Sequence, residues 1–285
     1  MYTYLFVGNC MADNPLSSYF RRPSIYIRLP SNGKFYPTGA LRLTESGEYP
    51  VFPMTAIDEI TYRTPDALFN GQGIIDVIQS CVPHIKNAWA IPTIDLDAIL
   101  VGIRMASYGS SLDIDTKCPS CNEESTFSIS LQSILDNLKS PDFDQTMTIG
   151  DLEVGFKPLN FRQTNENNII RFEEQKLLNV LSDTNMEEAQ KLKLLNEAFK
   201  KVSSLTVKAV AQGIAYIKTP DSAVTEQTFI EEYLKNCDNK VFTRIRDRVV
   251  ELKAESELKP LDITCPECNY QYKQSFTLDM ANFFE

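Results

Sequence analysis

The sequence predicts an α+β protein: a small irregular β/α N-terminal part, a split four-cysteine zinc ribbon, and a four-helix segment inserted into that ribbon. Three observations carry this. Lys117-Cys118-Pro119-Ser120-Cys121-Asn122 and Thr264-Cys265-Pro266-Glu267-Cys268-Asn269 are two C-P-x-C-N turns far apart in the chain. A Leu-Asp-Ile sequence leads into each, and a polar alternating stretch ending on Leu follows each, at 125–131 and 271–278. Prolines and period-two alternation mark the residues before the first turn, whereas from residue 161 the apolar residues recur at helical spacing. The expected organisation is an extended arm at 1–23, a β/α part with the first knuckle at 24–158, a helical insertion at 159–258, and the second knuckle at 259–285.

Two cysteines separated by two residues place two sulfurs on one tight turn, and a second such turn completes a tetrahedral set for one structural Zn2+. Cys118, Cys121, Cys265 and Cys268 are the expected ligands. Asn after each second cysteine suits a left-handed backbone position. A single C-P-x-C also serves thiol redox chemistry, but redox pairs of that kind usually open a helix, where the helix dipole lowers a thiol pKa. Both stretches here open strand-like segments, and the duplication favours metal. Four protein ligands leave no coordination position open, so the metal is expected to staple rather than to catalyse.

With 285 residues and 43% hydrophobic content the chain can bury a substantial core. Seven cysteines include Cys10, Cys81 and Cys237 outside the knuckles. An odd count with C-P-x-C pairs suits a reducing cytoplasm better than a disulfide scaffold. The net charge of −10 argues against a nucleic-acid footprint. The helical region is nearly balanced, so the acidity lies in the β and knuckle parts. No run approaches the roughly 18 apolar residues of a membrane span. Residues 1–7 lack the length and basic flank of a signal peptide. Met11-Ala12-Asp13 reads as a start, which makes residues 1–10 an extension.

Taken in order, residues 12–23 read as an extended polar arm. Ile25, Ile27 and Leu29 mark a half-buried strand, and Asn32-Gly33 a turn. Short or edge strands follow at 41–43 and 49–54, limited by prolines. Thr64-Pro65-Asp66 opens a short helix ending at Asn70-Gly71. Further helices are expected at 74–81, at 93–108 ending on Gly109, and at 131–138. A hairpin turns on Gly150-Asp151. In the insertion, one helix carries Ile169, Ile170, Phe172, Leu177, Leu178 and Leu181. A second is capped by Asn185 with Glu188 and runs past Leu192 to Ile217, kinked at Gly213. Two more span 226–236 and 240–257.

The other candidates for chemistry are weak. His84, the only histidine, stands beside Pro83 and reads as a packing or surface residue; a nucleophilic pair with Cys81 lacks an orienting third group. Asp95 and Asp97 read as a helix-start charge cluster. Gly71-Gln72-Gly73 lacks the further glycine and the lysine of a phosphate loop. Arg244, Arg246 and Arg248 read as ion-pair partners, and Trp89 as core or interface. No catalytic residues and no organic cofactor are expected.

Leu29-Pro30-Ser31-Asn32-Gly33-Lys34-Phe35-Tyr36-Pro37 and Pro53-Met54-Thr55-Ala56-Ile57-Asp58-Glu59 form one part of a familiar order. Pro65-Asp66-Ala67-Leu68-Phe69-Asn70-Gly71, Ile78-Gln79-Ser80-Cys81-Val82, Asp95-Leu96-Asp97-Ala98-Ile99-Leu100 and Ile103-Arg104-Met105-Ala106-Ser107-Tyr108-Gly109 continue it. Over about residues 28–122 this order resembles the baseplate hub subunits of T4-like contractile-tailed bacteriophages (myoviruses). The resemblance implies a non-enzymatic structural or assembly component of the tail baseplate hub. Its partners would be other baseplate or tail proteins, and its place the virion or the host cytoplasm during assembly. No small-molecule substrate, nucleic acid or membrane is implied. The arm at 12–23 and the loop at 30–39, with Phe35 and Tyr36, are the expected interface. A zinc-ribbon adaptor for nucleic acid or transcription machinery is the alternative, and a thiol redox protein the second.

Overall fold

The alternation at Ile25, Ile27 and Leu29 produces β1 (Ile25–Arg28), which pairs antiparallel with β2 (Glu48–Val51), Ile25 opposite Val51. In the computed structural model, which describes residues 14–63, 71–181 and 204–275, Ile27, Tyr49 and Val51 turn inward from this pair. The expected helix at 64–70, the cap at Asn185, the helix body to residue 203, residues 1–13 with Cys10, and the tail from 276 lie outside the described residues. The turn between the strands requires Gly33. Its φ is +78°, and a Cβ there would meet Leu43 Cδ2 at 2.8 Å. The strand expected at 41–43 shrinks to one bridge, Leu41 with Ile85, because Leu43 is 67% exposed and has no apolar face to bury.

Three helices close the first core. Helix α1 (Ala56–Tyr62) was not anticipated; Thr55 and Asp58 form a reciprocal capping box at its start. Helix α2 (Gln72–Cys81) begins at left-handed Gly71 and buries Ile74, Ile75, Val77, Ile78 and Cys81. Helix α3 (Thr93–Tyr108) is buried almost all round at its centre, from Ala98 to Ile103. It can approach β1 so closely because residue 102 is glycine: a Cβ there would stand 2.9 Å from Ile27 Cγ2. Each fully buried isoleucine, such as Ile78, Ile99 and Ile103, contributes about 1.5–3 kcal/mol of apolar transfer.

After Gly109 the chain forms the hairpin β3 (Ser111–Lys117) and β4 (Glu124–Ser130), then α4 (Leu131–Asn137), whose Leu131 and Ile134 join the first core. The expected Gly-Asp hairpin is β5 (Met147–Ile149) and β6 (Leu152–Phe156), turning on Gly150 at φ +58°. Helix α5 (Phe161–Leu181) follows.

The helix expected to run to Ile217 is corrected here. Residues 204–212 are helical, Gly213 turns, and β7 (Ile214–Lys218) then pairs antiparallel with β6. β7 in turn pairs with β8 (Ala223–Val224), giving a four-stranded antiparallel sheet in the order β5-β6-β7-β8. Ile214 and Ile217 are buried, and the Thr219–Ser222 turn returns the chain. β-Branched and aromatic residues beside an available strand edge favour pairing over one more helical turn. This sheet packs on α6 (Gln227–Asn236) and α7 (Asn239–Ser256), burying Ile230, Leu234, Ile245 and Leu252 in a second core with Val154 and Phe156. The segment expected as purely helical is therefore a helix-and-sheet layer that shares its sheet with the preceding hairpin. The last described elements are β9 (Leu261–Thr264) and β10 (Gln271–Gln274).

The two cores are stitched by main chain. Thr93 N–H donates to Leu159 C=O and Phe161 N–H to Ile91 C=O, both at 2.8 Å. Within the first core, Trp89 stacks on Phe161 with ring centroids 5.5 Å apart.

Candidate metal centre

Each knuckle connects two antiparallel strands, β3 to β4 and β9 to β10, and neither opens a helix. Their backbones repeat one another. Cys118 N–H donates to Glu123 C=O at 2.9 Å, and Cys265 N–H to Tyr270 C=O at 3.0 Å. Asn122 N–H donates back to Cys118 C=O, and Asn269 N–H to Cys265 C=O. Asn122 and Asn269 both hold positive φ, 61° and 56°, the conformation their side chains tolerate better than most.

The two turns face each other. Cys118, Cys121, Cys265 and Cys268 place their four sulfurs within 4.8 Å of one another. Cys118 Sγ lies 3.7 Å from Cys268 Sγ, and Cys121 Sγ lies 3.7 Å from Cys265 Sγ. A tetrahedral zinc with Zn–S near 2.3 Å requires sulfurs about 3.8 Å apart, so the donor set and its spacing fit that ion. Cys118 and Cys265 are buried while Cys121 and Cys268 are exposed, so each knuckle contributes one inner and one outer sulfur.

Ionisation of four adjacent thiols is self-limiting. Burial opposes the Cys118 thiolate, but N–H groups of Cys121 and Ser120 and the neighbouring thiols outweigh it and lower its pKa. At Cys121 the Glu123 N–H favours the thiolate, yet burial and the Cys268, Cys118 and Cys265 sulfurs prevail and raise it. Several thiolates can coexist at this spacing only when a cation neutralises them.

A further link between the jaws was not visible in sequence. The Thr116 and Tyr272 hydroxyls lie 2.7 Å apart across the two hairpins. Nothing in either strand marked these residues; only the docking of one hairpin on the other makes them partners.

The remaining candidates take structural places. Cys81 is fully buried, and burial, with Asp58 nearby, pushes its thiol up to about 12 against the opposing pull of Arg21. That thiol is unsuited to nucleophilic work. His84 packs edge-on against Tyr49, and burial with Arg42 and Lys86 lowers its pKa. Gly71 caps α2, Arg246 pairs with Asp247, and Arg248 pairs with Glu251 and Glu255. Arg244 is exposed, and Trp89 stacks on Phe161 within the first core.

The expected interface elements are partly occupied within the chain. Arg21, in the arm, inserts its guanidinium among Pro53 C=O, Asp58 and both the carbonyl and hydroxyl of Ser80. Phe35, at φ +69°, packs edge-on against Phe143, and Lys34 pairs with Asp144. Tyr36 lies half-buried against the first core, so only Phe35 of that pair remains exposed.

Asp95 and Asp97 part ways. Asp95 is wholly buried and accepts the N–H and hydroxyl of Ser31, tying the 29–36 loop to α3. Asp97 has no such donors. Burial, reinforced by Glu257, raises its pKa from 3.8 to about 6. The folded state thus holds this proton more tightly than the unfolded chain, so its contribution is most favourable below pH 3.8 and declines as pH rises through 6. Asp97→Asn is expected to remove that decline and add ~1 kcal/mol of stability at neutral pH. Thermal melts of both proteins at pH 5 and 7 check it: the gap between them should widen at pH 7.

The family model described as T4 bacteriophage base plate protein matches residues 26–285. No curated protein and no solved structure matches the chain.

Proposed function

We propose that this chain, which belongs to the T4 bacteriophage base plate protein family, is a non-enzymatic structural or assembly component of the baseplate hub, stapled by one Zn2+ on Cys118, Cys121, Cys265 and Cys268. The observation that carries this reading is the convergence of four sulfurs from two knuckles at the two ends of a long intervening segment. Bound zinc would supply four coordinate bonds and no open position, so its chemistry there is cross-linking. The protein's own part is to present the sulfurs on two left-handed Asn turns and to dock the hairpins through Thr116 and Tyr272. In a baseplate, this makes distant segments one rigid body against which neighbouring subunits can bear.

The partner-facing surface fits the same reading. Leu16, Tyr19 and Phe20 in the arm are 60–84% exposed, and Ile57 and Ile60 on α1 are 75% and 69% exposed. Arg21 ties the end of the arm to α1 through Asp58. Large exposed apolar side chains on the arm and on α1 are the groups a partner protein would cover. The partners are other phage tail proteins, and the place of action is the tail baseplate, in the virion or during its assembly. No helix among the described residues is long and apolar enough to cross a membrane.

The test is a triple variant, Tyr19→Ser, Ile57→Ser and Ile60→Ser. Its melting temperature is expected to stay near that of the parent, because exposed sites contribute within about ±0.5 kcal/mol each. Incorporation into baseplates, read by sedimentation of assembly intermediates, is expected to fail. Normal incorporation would remove this surface from the interface. Salt-sensitive binding to DNA or RNA would instead favour the adaptor reading.

A further inference from the structure

Between the two cores lies a cavity of about 540 Å³. Its walls come from α3, the first turns of α5, residues 206–213 and α7, with Leu96, Val249 and Val250 among its apolar lining. We propose that this cavity is a second docking site, taking an apolar, acidic peptide segment of another baseplate subunit through Lys157 and Arg171. The inference rests on the reading above that the chain acts through protein contacts.

The charge of the wall selects the occupant. The chain carries −10 overall, yet four cations line this cavity: Lys157, Arg171, Arg246 and Lys253. Arg246 spends its charge on Asp247 and Lys253 on Glu257. Lys157 and Arg171 have no acidic partner among the described residues. Burial alone lowers the pKa of Lys157, so an incoming carboxylate would relieve a charge that no described acid compensates. Among the described residues of the wall Asp97 is the one unpaired acid, which leaves their unpaired groups net positive.

A peptide fits better than a free anion. Asn167, also on the wall, is 8% exposed; its amide donates to Gln212 at 3.0 Å while its Oδ1 accepts nothing. Thr164 Oγ1 beside it on the same helix is likewise without a partner. Buried acceptors of this kind are satisfied by donors, and a peptide brings N–H groups where an inorganic anion brings none. The apolar remainder of the lining asks for apolar side chains, and cavities at the seam of two cores are common ligand sites.

The experiment places the photo-crosslinking residue p-benzoylphenylalanine at Val250, on the rim, in the full chain during baseplate assembly, with a control at Ile57 on the arm surface. The Val250 adduct, mapped by mass spectrometry, is expected to be an apolar segment carrying Asp or Glu from another baseplate protein. The double variant Lys157→Glu/Arg171→Glu is expected to cut that adduct about tenfold. Its Ile57 adduct and melting temperature should not change. Lys157→Gln/Arg171→Gln repeats the test should charge reversal impair folding. An Ile57 adduct without a Val250 adduct overturns the cavity site alone. So does a Val250 adduct to this chain itself or to a basic segment, or one indifferent to both double variants. Loss of adducts at both positions counts against the protein-contact reading as well.

Discussion

Replacing Cys265 with serine is expected to abolish metal binding and to free the hairpin β9–β10 from the rest of the molecule. Among the described residues, little else holds that hairpin. Its strands are four residues each, and only Ile263 and Cys265 among their residues and the adjoining turn are buried. An isolated two-stranded hairpin is marginal in water. The hydroxyl contact between Thr116 and Tyr272 adds about 1 kcal/mol at most. A structural zinc contributes about 10–16 kcal/mol in small zinc-finger peptides, far more than either. Loss of one ligand should therefore open the ribbon locally. The two cores draw on other residues, so their melting should fall much less. Hydrogen exchange reads the difference: amides of 261–274 should lose protection in Cys265→Ser while α2 and α3 keep theirs. Unchanged protection at 261–274 would mean that packing, not metal, holds the jaws.

The second large effect is expected at Arg21. Its guanidinium satisfies Pro53 C=O, Ser80 C=O, the Ser80 hydroxyl and the Asp58 carboxylate, linking the arm to three separate places in the fold. Arg21→Ala leaves Asp58, 8% exposed, without its cation and two carbonyls without a donor. Removing one partner of a largely buried, hydrogen-bonded pair costs about 2–4 kcal/mol. Arg21→Lys should recover only part of this, because one ammonium cannot reproduce the planar fork. Asp58 also sets the pH response. Burial opposes its charge, but hydrogen bonds from Thr55 and Ser80 and the charge of Arg21 prevail and lower its pKa below 3.8. Its stabilising contribution is present above 3.8 and is lost as pH falls through the lower folded value. Denaturant unfolding at pH 7 and pH 3 should show Arg21→Ala losing less at the lower pH. An equal loss at both would assign the effect to the carbonyl contacts alone.

The elements that the sequence made legible are those whose signals are local. Helices α2, α3, α6 and α7 carry unbroken apolar periodicity between clear stops, such as Val82-Pro83 and Gly109. The knuckles were legible because C-P-x-C-N occurs twice, and the Gly150-Asp151 turn because glycine sits where φ is positive. What stayed hidden depends on partners distant in the chain. The spacing of Val207, Val210, Ala211 and Ile214 continues a helix, and only the edge of β6 makes Ile214–Lys218 a strand. The arm reads only as extended because nothing around Arg21 announces that Asp58 and Ser80 await it. Helix α1 escaped for a different reason: its Thr55-x-x-Asp58 cap is a genuine local signal, but the helix is seven residues long, with Ile57 and Ile60 facing out.

The same distinction applies to the candidate centre. The four cysteines could be grouped from spacing alone, whereas their pairing across the jaws and the burial of one sulfur per knuckle required the fold. The cavity between the cores had no sequence signature at all, since its walls are assembled from segments as far apart as Leu96 and Val250.

Metal content tests the central claim most directly. Elemental mass spectrometry on full-length protein, purified without chelator, should find one zinc per chain. The same protein carrying Cys265→Ser should hold none. A metal-free parent protein with all four knuckle thiols reactive toward alkylation would contradict the staple. It would leave the convergence of Cys118, Cys121, Cys265 and Cys268 without the ion that its geometry fits.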